Sequence, residues 1–386
     1  MDFKTTAQRR LDDVADPAIE LSHRIHGNPE LSFAEYEAAT LVAETLQGDG
    51  FTVQQGVAGL PTALAASYGT GELVVGLFAE YDALPDIGHA CGHNIIAASA
   101  VTAARVLAPL ADQLGITVKL FGTPAEEAGG GKVIMLEQGV FDELHAAMMV
   151  HPAPRDVAAA ETLAVAQIEV SYTGKTAHAS AAPEKGINAA DALTVAQVGI
   201  GLLRQHLPAR VRVHGIVSKG GEAPNIVPGH TSGRFNIRAE TMADLDAVRP
   251  RVEACFTAGA IATGCEATVR LEGPIYSEFD SDAGMHELYQ ANAEKLGRSF
   301  YVDPDRATGS TDMANVSLVV PTIHPAIGLD CGDAVNHQPE FTAYCAQPTG
   351  DKAVLDGALA MAWTVIDLAT QPEQRTRLLA RTTTLS

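Results

Sequence analysis

Residues 73–111 read LVVGLFAEYDALPDIGHACGHNIIAASAVTAARVLAPLA, and three textures follow one another along them. The apolar run 73–79 has the length and composition of a buried strand. A loop crowded with metal-competent side chains comes next, and the apolar stretch from Ile95 reads as a helix. The loop carries Asp82, His89, Cys91, His93 and Asn94. Cys91 and His93, two residues apart beside a glycine, suit two ligands on one tight loop. Thiolate and imidazole are donors that zinc accepts readily, and manganese, cobalt or nickel less so. A buried cysteine beside histidines bonded to backbone carbonyls is the plainer alternative; the pair on one loop after a strand favours ligation.

The same order recurs. TVKLFG (117–122) runs into TPAEEAGGG, and AAMMV (146–150) ends directly in His151. This is βαβ grammar, and each apolar run delivers a candidate ligand at its carboxyl end, where open α/β sheets place their binding crevice. Glu126 and Glu127 are adjacent, so their side chains point in different directions. One can ligate a metal while the other takes a proton from water. An exposed acidic pair is the ordinary fate of such a dipeptide, but the strand-end position and three following glycines favour function. A further donor is needed from the C-terminal part. His324 in TIHP lies within an apolar run and reads as core, whereas His337 in VNHQPEF follows a Gly- and Asp-bearing loop and is preferred. His23 and His26 read as loop or core histidines.

At 386 residues the chain predicts two domains. Its first 48 residues read as helices, with Ser32 and Glu35 as a capping box. From about 164 the texture becomes β-α-β-β-α-β, a ferredoxin-like unit over 164–272 inserted into a host domain of 1–163 and 273–386. The last dozen residues read as a frayed tail. A hydrophobic content of 46% supports globular folding, and Arg105 interrupts the longest apolar candidate, which predicts a soluble protein with no membrane partner. The N-terminus lacks the apolar core of a secretory signal, an expectation of the cytoplasm. Five scattered cysteines read as reduced thiols. A net charge of −21 argues against nucleic acid, which needs clustered Lys and Arg, without excluding an anionic substrate.

These residues also carry a resemblance. The loop 80–94, TPAEEAGGGK, His151, YTGKTAHASAAPEKGINAADAL, GGEAPNIVP, GSTDMANVS and NHQPEF occur in order from about residue 20 to 345. Together they resemble the aminoacylase/carboxypeptidase family of dinuclear metallopeptidases, in the amidohydrolase branch that contains aminobenzoyl-glutamate hydrolases, indole-acetyl-amino-acid hydrolases and β-alanyl dipeptidases. The resemblance implies an α/β catalytic domain with a central mixed sheet and helices on both faces, plus an inserted lid and dimerisation domain. It implies two divalent metal ions, zinc foremost, with Cys91 bridging and His93, Glu127, His151 and His337 completing the sites. Glu126 becomes the general base acting on a metal-activated water, and Asp82 orients a ligand. The wider family's histidine two residues before that aspartate is Glu80 here, and Asn94 stands where many branch members carry aspartate. His178 corresponds to an oxyanion-stabilising histidine that reaches a neighbouring site. Asn225 and Arg238 correspond to positions binding the substrate's carbonyl and carboxylate, and Ser310 lies in a motif near the pocket. The implied activity is amide hydrolysis of an N-acyl amino acid or small dipeptide by a homodimer. A carbamoyl-amino-acid hydrolase is an alternative that the cysteine disfavours; a non-catalytic scaffold is another, disfavoured by the intact Glu126 and ligand set.

Overall fold

The apolar run 73–79 becomes a central strand of a six-stranded sheet, buried along almost its whole length. The structure, a computed structural model, describes residues 2–159, 161–301 and 309–380. Helices α1 (Phe3–Gly27) and α2 (Tyr36–Gly48) come first. Strands β1 (Thr52–Gln55), β2 (Leu64–Tyr68) and β3 (Leu73–Glu80) follow, then helices α3 (His93–Leu107) and α4 (Ala111–Leu114). Next are β4 (Ile116–Thr123), α5 (Gly131–Glu137), β5 (Ala146–Met148) and β6 (His151–Ala153). A second unit holds β7 (Ala164–Thr173), α6 (Ala189–Leu203), β8 (Arg212–Lys219), β9 (His230–Ala239), α7 (Met242–Thr263) and β10 (Glu266–Leu271). The chain then supplies α8 (Ala283–Lys295), α9 (Met313–Ser317), β11 (Thr322–Ile323), β12 (Ala326–Gly328), α10 (Pro339–Tyr344), α11 (Pro348–Thr370) and α12 (Pro372–Leu379).

Two compact units result, residues 1–161 with 279–386, and residues 162–278. In the first, the sheet order is β1-β2-β4-β3-β5-β11. Strands β3, β4, β5 and β11 pair in parallel while β1 and β2 run antiparallel, so the sheet is mixed. Parallel pairing of β3 with β4 sets Glu80 opposite Thr123, so the loops after both strands leave the same sheet end. Helix α3 is buried on nearly every face, which explains an apolar sequence without a polar stripe. The stretches His93–Leu114 and Pro348–Thr370 are long and apolar enough to cross a membrane, yet 89% and 72% of their apolar windows are buried within the protein, as in core helices. All five cysteines are free.

The second unit has its own core, built from Ala166, Ile168, Leu193, Phe235, Val252 and Phe256 among others. Its antiparallel sheet runs β10-β7-β9-β8 with α6 and α7 packed against it. Residues 275–278 belong to this unit because Tyr276 exchanges both backbone hydrogen bonds with Val165, and the Glu278 carboxylate accepts the Met242 N–H.

Three local expectations are corrected. His23 and His26 sit on α1, bonded to Asp351 Oδ1 at 2.7 Å and to the Thr342 carbonyl at 2.8 Å. The stretch containing RTRLL is helix α12, because Leu378 is buried and Arg375 donates to the carbonyls of Leu114 and Gly115; residues 381–386 lie outside the described residues. Ser32 and Glu35 form no capping box. Glu35 itself precedes the helix, and the Glu30 carboxylate accepts from Glu37 N–H and Ala38 N–H at 3.0 and 2.9 Å.

Candidate metal centre

Gly92 sits in the left-handed region (φ 73°) immediately before α3, and a Cβ there would meet Pro152 at 2.8 Å. Only glycine fits that turn. It places Cys91 and His93 on the floor between the sheet end and the helix start. The β4–α5 loop brings Glu126 and Glu127 to the same end, and β6 opens with His151. His337 arrives from far along the chain because its N–H donates to the Ala90 carbonyl at 3.0 Å, beside Cys91.

The donors meet in two triads, Cys91–His93–His151 and Cys91–Glu127–His337, each with its ligand atoms within 4.8 Å of one another. Cys91 is common to both. His337 Nε2 lies 3.0 Å from Cys91 Sγ and 3.7 Å from Glu127 Oε1. His324, also buried, packs its ring at a tilt against His151, 5.3 Å between ring centroids, and enters neither triad. A third group, Glu80–His93–Glu126, uses the same His93 ring, but its Glu80 is already paired with Lys132.

Hydrogen bonds fix the tautomers. His93 Nδ1–H donates to Asp82 Oδ1 at 2.9 Å, and His151 Nδ1–H donates to the Pro152 carbonyl at 2.8 Å. Each ring is thereby held by one nitrogen while Nε2 faces the centre, the arrangement that ligating imidazoles require. Asp82 does more, since its Oδ2 accepts the Glu127 N–H at 3.1 Å and the Ser32 hydroxyl at 3.0 Å. It is a positioning residue behind the donors.

The donor set fits divalent cations. Buried His93 Nε2 and Glu127 Oε1 make no hydrogen bond. Among the described residues, Glu80, Asp82, Glu126, Glu127 and Asp312 set carboxyl groups against one ammonium, Lys132. Burial pushes the Cys91 thiol well above its usual range, and Glu127 adds to the shift, so a cation is what would make a thiolate favourable there. Burial, then the charges of Glu80, Glu127 and Asp312, hold the Glu126 carboxyl well above the carboxylate range. Burial works the same way on Asp82, but the facing His93 ring and the hydrogen bonds from His93 and Glu127 outweigh it and bring Asp82 down to about 2. Burial lowers His151 to about 4, keeping it neutral and ligand-ready.

A buried network beneath the site was missed in the sequence. Lys132 Nζ lies 2.5 Å from Glu80 Oε1 and 2.6 Å from Asp312 Oδ1, with all three side chains fully buried. Asp312 Oδ2 also accepts the Lys132 N–H at 2.9 Å. Glu80 Oε2 lies 3.5 Å from His93 Nε2, so the position where the wider pattern has histidine still faces the metal-binding floor. A charged residue ending an otherwise apolar strand was the available signal.

The remaining predicted residues enter neither triad. Ser310 is half-buried, two residues before Asp312. His178 and Asn225 belong to the second unit, where they lie on paired segments: Ala179 N–H donates to the Asn225 carbonyl at 3.0 Å. The exposed His178 accepts the Ala181 N–H at Nδ1, at 3.2 Å, which leaves its proton on Nε2. Arg238 is on β9, opposite Val165 and Arg212, and burial lowers its pKa.

Thiol, imidazole and carboxylate donors gathered at the strand ends of an α/β unit define a candidate centre for divalent metal ions; the family to which the chain belongs makes it a metal-dependent hydrolase of carbon–nitrogen bonds. The chain belongs to peptidase family M20/M25/M40, whose model matches residues 76–355. It is 35% identical to the Xaa-Arg dipeptidase of Mus musculus over 387 aligned residues, covering 96% of this chain and 90% of that protein. It is 33% identical to a p-aminobenzoyl-glutamate hydrolase component of Escherichia coli strain K12, over 74% of this chain and 62% of that one. A dinuclear metal-binding peptidase of Bacillus subtilis shares the fold, with a TM-score of 0.69 at 21% identity, covering 92% of this chain and 99% of that one.

Proposed function

We propose that this chain hydrolyses the amide bond of a small dipeptide or N-acyl amino acid, using two divalent ions and Glu126 as general base. The observation that carries the reading is the meeting of two donor triads on one thiol, with Glu126 next in the chain to a donor and outside both triads. Cys91 would bridge the ions, with His93 and His151 on one and Glu127 and His337 on the other. The bound pair supplies Lewis acidity toward an amide carbonyl and lowers the pKa of water; zinc suits the donors best, and manganese is the alternative.

The chain's own groups do the rest. Asp82 keeps His93 in one tautomer and ties down the backbone of Glu127. Glu126 takes a proton from water at its carboxylate and delivers it to the departing nitrogen. His178, with its proton on Nε2, is a donor suited to the carbonyl oxygen as charge develops there. Arg238 offers a guanidinium fork to the product carboxylate, Asn225 a side-chain amide to the carbonyl, and Ser310 a hydroxyl near the site.

A dipeptide ending in arginine is the first substrate to test, because the mouse relative is matched along 96% of this chain. A face of α6 and α7 leaves Val198, Leu202 and Ile261 exposed at 58%, 71% and 78%, which supports self-association of the second unit into a homodimer. The test of the whole reading is metal analysis followed by hydrolysis of alanyl-arginine and aminobenzoyl-glutamate, read by mass spectrometry. Activity abolished by chelator and restored by zinc or manganese is expected. Metal-replete protein that cleaves neither these nor any other N-acyl amino acid would overturn the reading.

A further inference from the structure

Residues 30–35, ELSFAE, link α1 to α2 and touch both loops of the metal centre. The Glu30 carbonyl accepts the Ala83 N–H at 2.8 Å, laying this strap beside the segment that follows Asp82. The Ser32 hydroxyl then donates to Asp82 Oδ2. Phe33 packs its ring where a side chain on Gly129 would be: a Cβ there would come within 2.2 Å of Phe33 Cε2. Glu35, fully buried, turns its carboxylate away from the helix it precedes. One oxygen, Oε1, accepts both the Phe33 N–H and the Ala125 N–H at 2.9 Å each, and Oε2 accepts the Thr62 hydroxyl at 2.8 Å.

Phe33 and Ala125 have φ of 64° and 60°, the left-handed region that residues with a Cβ adopt rarely. Ala125 in turn accepts the N–H groups of Gly129 and Gly130, closing the turn that presents Glu126 and Glu127. A single carboxylate oxygen therefore fastens both unfavourable residues. Unfavourable backbone persists where surrounding bonds over-determine it, and such sites gather around chemistry.

From this geometry we infer that Glu35 is a positioning residue for the catalytic pair. Its carboxylate clamps Ala125 in the left-handed region and so fixes the direction in which Glu126 and Glu127 leave the backbone. Ser32 plays the parallel part for Asp82. The inference rests on the proposed role of Glu126 for its kinetic consequence, but its structural consequence stands apart.

The structural arm is amide hydrogen exchange of the metal-free full chain, read on a peptide covering residues 121–131. Glu35→Ala is expected to speed exchange there and leave the α3 and α11 peptides at the wild-type rate. Glu35→Gln keeps a carbonyl oxygen for both N–H groups, so it should restore wild-type exchange. The kinetic arm uses the manganese-loaded protein and alanyl-arginine. Glu35→Ala should lower kcat by about 10²-fold with KM unchanged, as expected for a small misplacement of a reacting group. Glu35→Gln should recover most of the rate. Should Glu35→Ala fail to fold, Thr62→Val, which removes the hydroxyl that holds Glu35 Oε2, carries the test, with faster exchange over 121–131 expected and unaltered exchange there counting against the clamp. Unaltered exchange over 121–131 in folded Glu35→Ala overturns the clamp, whatever the enzyme acts on. A glutamine variant as impaired as alanine also overturns it. Altered exchange with no hydrolysis by the wild-type chain itself upholds the clamp and sinks the proposed substrate class instead.

Discussion

Glu126 and Glu127 are chemically identical neighbours with opposite assignments, and their surroundings make the difference. Glu127 presents an oxygen without a hydrogen bond between His93 and His337, 3.9 and 3.7 Å away. Glu126 lies deeper, and burial first, then the charges of Glu80, Glu127 and Asp312, keep its pKa high. Glu126→Gln preserves shape and hydrogen-bonding capacity but cannot accept a proton. It should lower kcat by roughly 10²–10⁴-fold while metal content by elemental analysis stays at the wild-type level, and turnover at the wild-type rate would refute the base. Cys91→Ser exchanges a soft donor shared by both triads for a hydroxyl with a far higher pKa. Metal content should fall in that variant, and full occupancy would argue against a bridge. That Cys91, His93, Glu127, His151 and His337 converge was legible, because each follows or ends an apolar run at one sheet end or lies in a recognisable motif. Glu35 was misread for a physical reason. A serine followed three residues later by glutamate before an apolar run has the same spacing whether the carboxylate bonds its own helix or an amide 90 residues away.

At the scale of elements, the decisive contact joins α5 to the start of α9. Lys132 is the second residue of α5 and Asp312 immediately precedes α9, 180 positions later. Their pairing with Glu80 at the end of β3 fastens three elements below the metal-binding floor. No local pattern encodes such a contact; periodicity locates the elements and is silent on which charged ends meet. Strands β3, β4 and β5 were legible from their apolar runs, which are local, whereas β1 and β2, which lack such runs, and the network, which is not local, were not read. Burying this ammonium is unfavourable by itself, but the two carboxylates more than offset that and raise its pKa. Lys132→Met fills similar space and removes the charge, leaving Glu80 and Asp312 buried without a counter-ion. Loss of one partner from a buried pair costs about 3–5 kcal/mol, so urea denaturation of the metal-free variant should show a midpoint well below wild type. Adding Asp312→Asn should recover part of the loss. An unchanged midpoint in the single variant would mean that the network contributes nothing to stability.

Across the whole molecule, the acidic balance of −21 coexists with a core that shelters several neutral imidazoles. His89 shows the consequence most simply. It is buried beside α1, donating through Nε2 to the Ile25 carbonyl at 3.1 Å, with Nδ1 lacking a hydrogen bond. Burial, then the neighbouring His93 and His26, lower its pKa to about 3. Once unfolded, the same imidazole titrates near 6.5. Above that pH neither state binds the proton and the contribution of His89 to stability is fully present. Below it the unfolded chain gains a proton that the folded chain refuses, so stability is lost as pH falls toward the folded value. The expected slope is about 1.4 kcal/mol per pH unit for one such proton. His151 and His324, each lowered to about 4 chiefly by burial, add to the trend, whereas Asp312, raised to about 6 by burial, opposes it. The contribution of one residue therefore has to be isolated by difference. In metal-free protein, wild type should exceed His89→Gln in stability at pH 7, and the gap should narrow steadily between pH 6.5 and 4. A gap that stays constant across that window would show that His89 takes up its proton equally in both states, and that its burial is not what keeps it neutral.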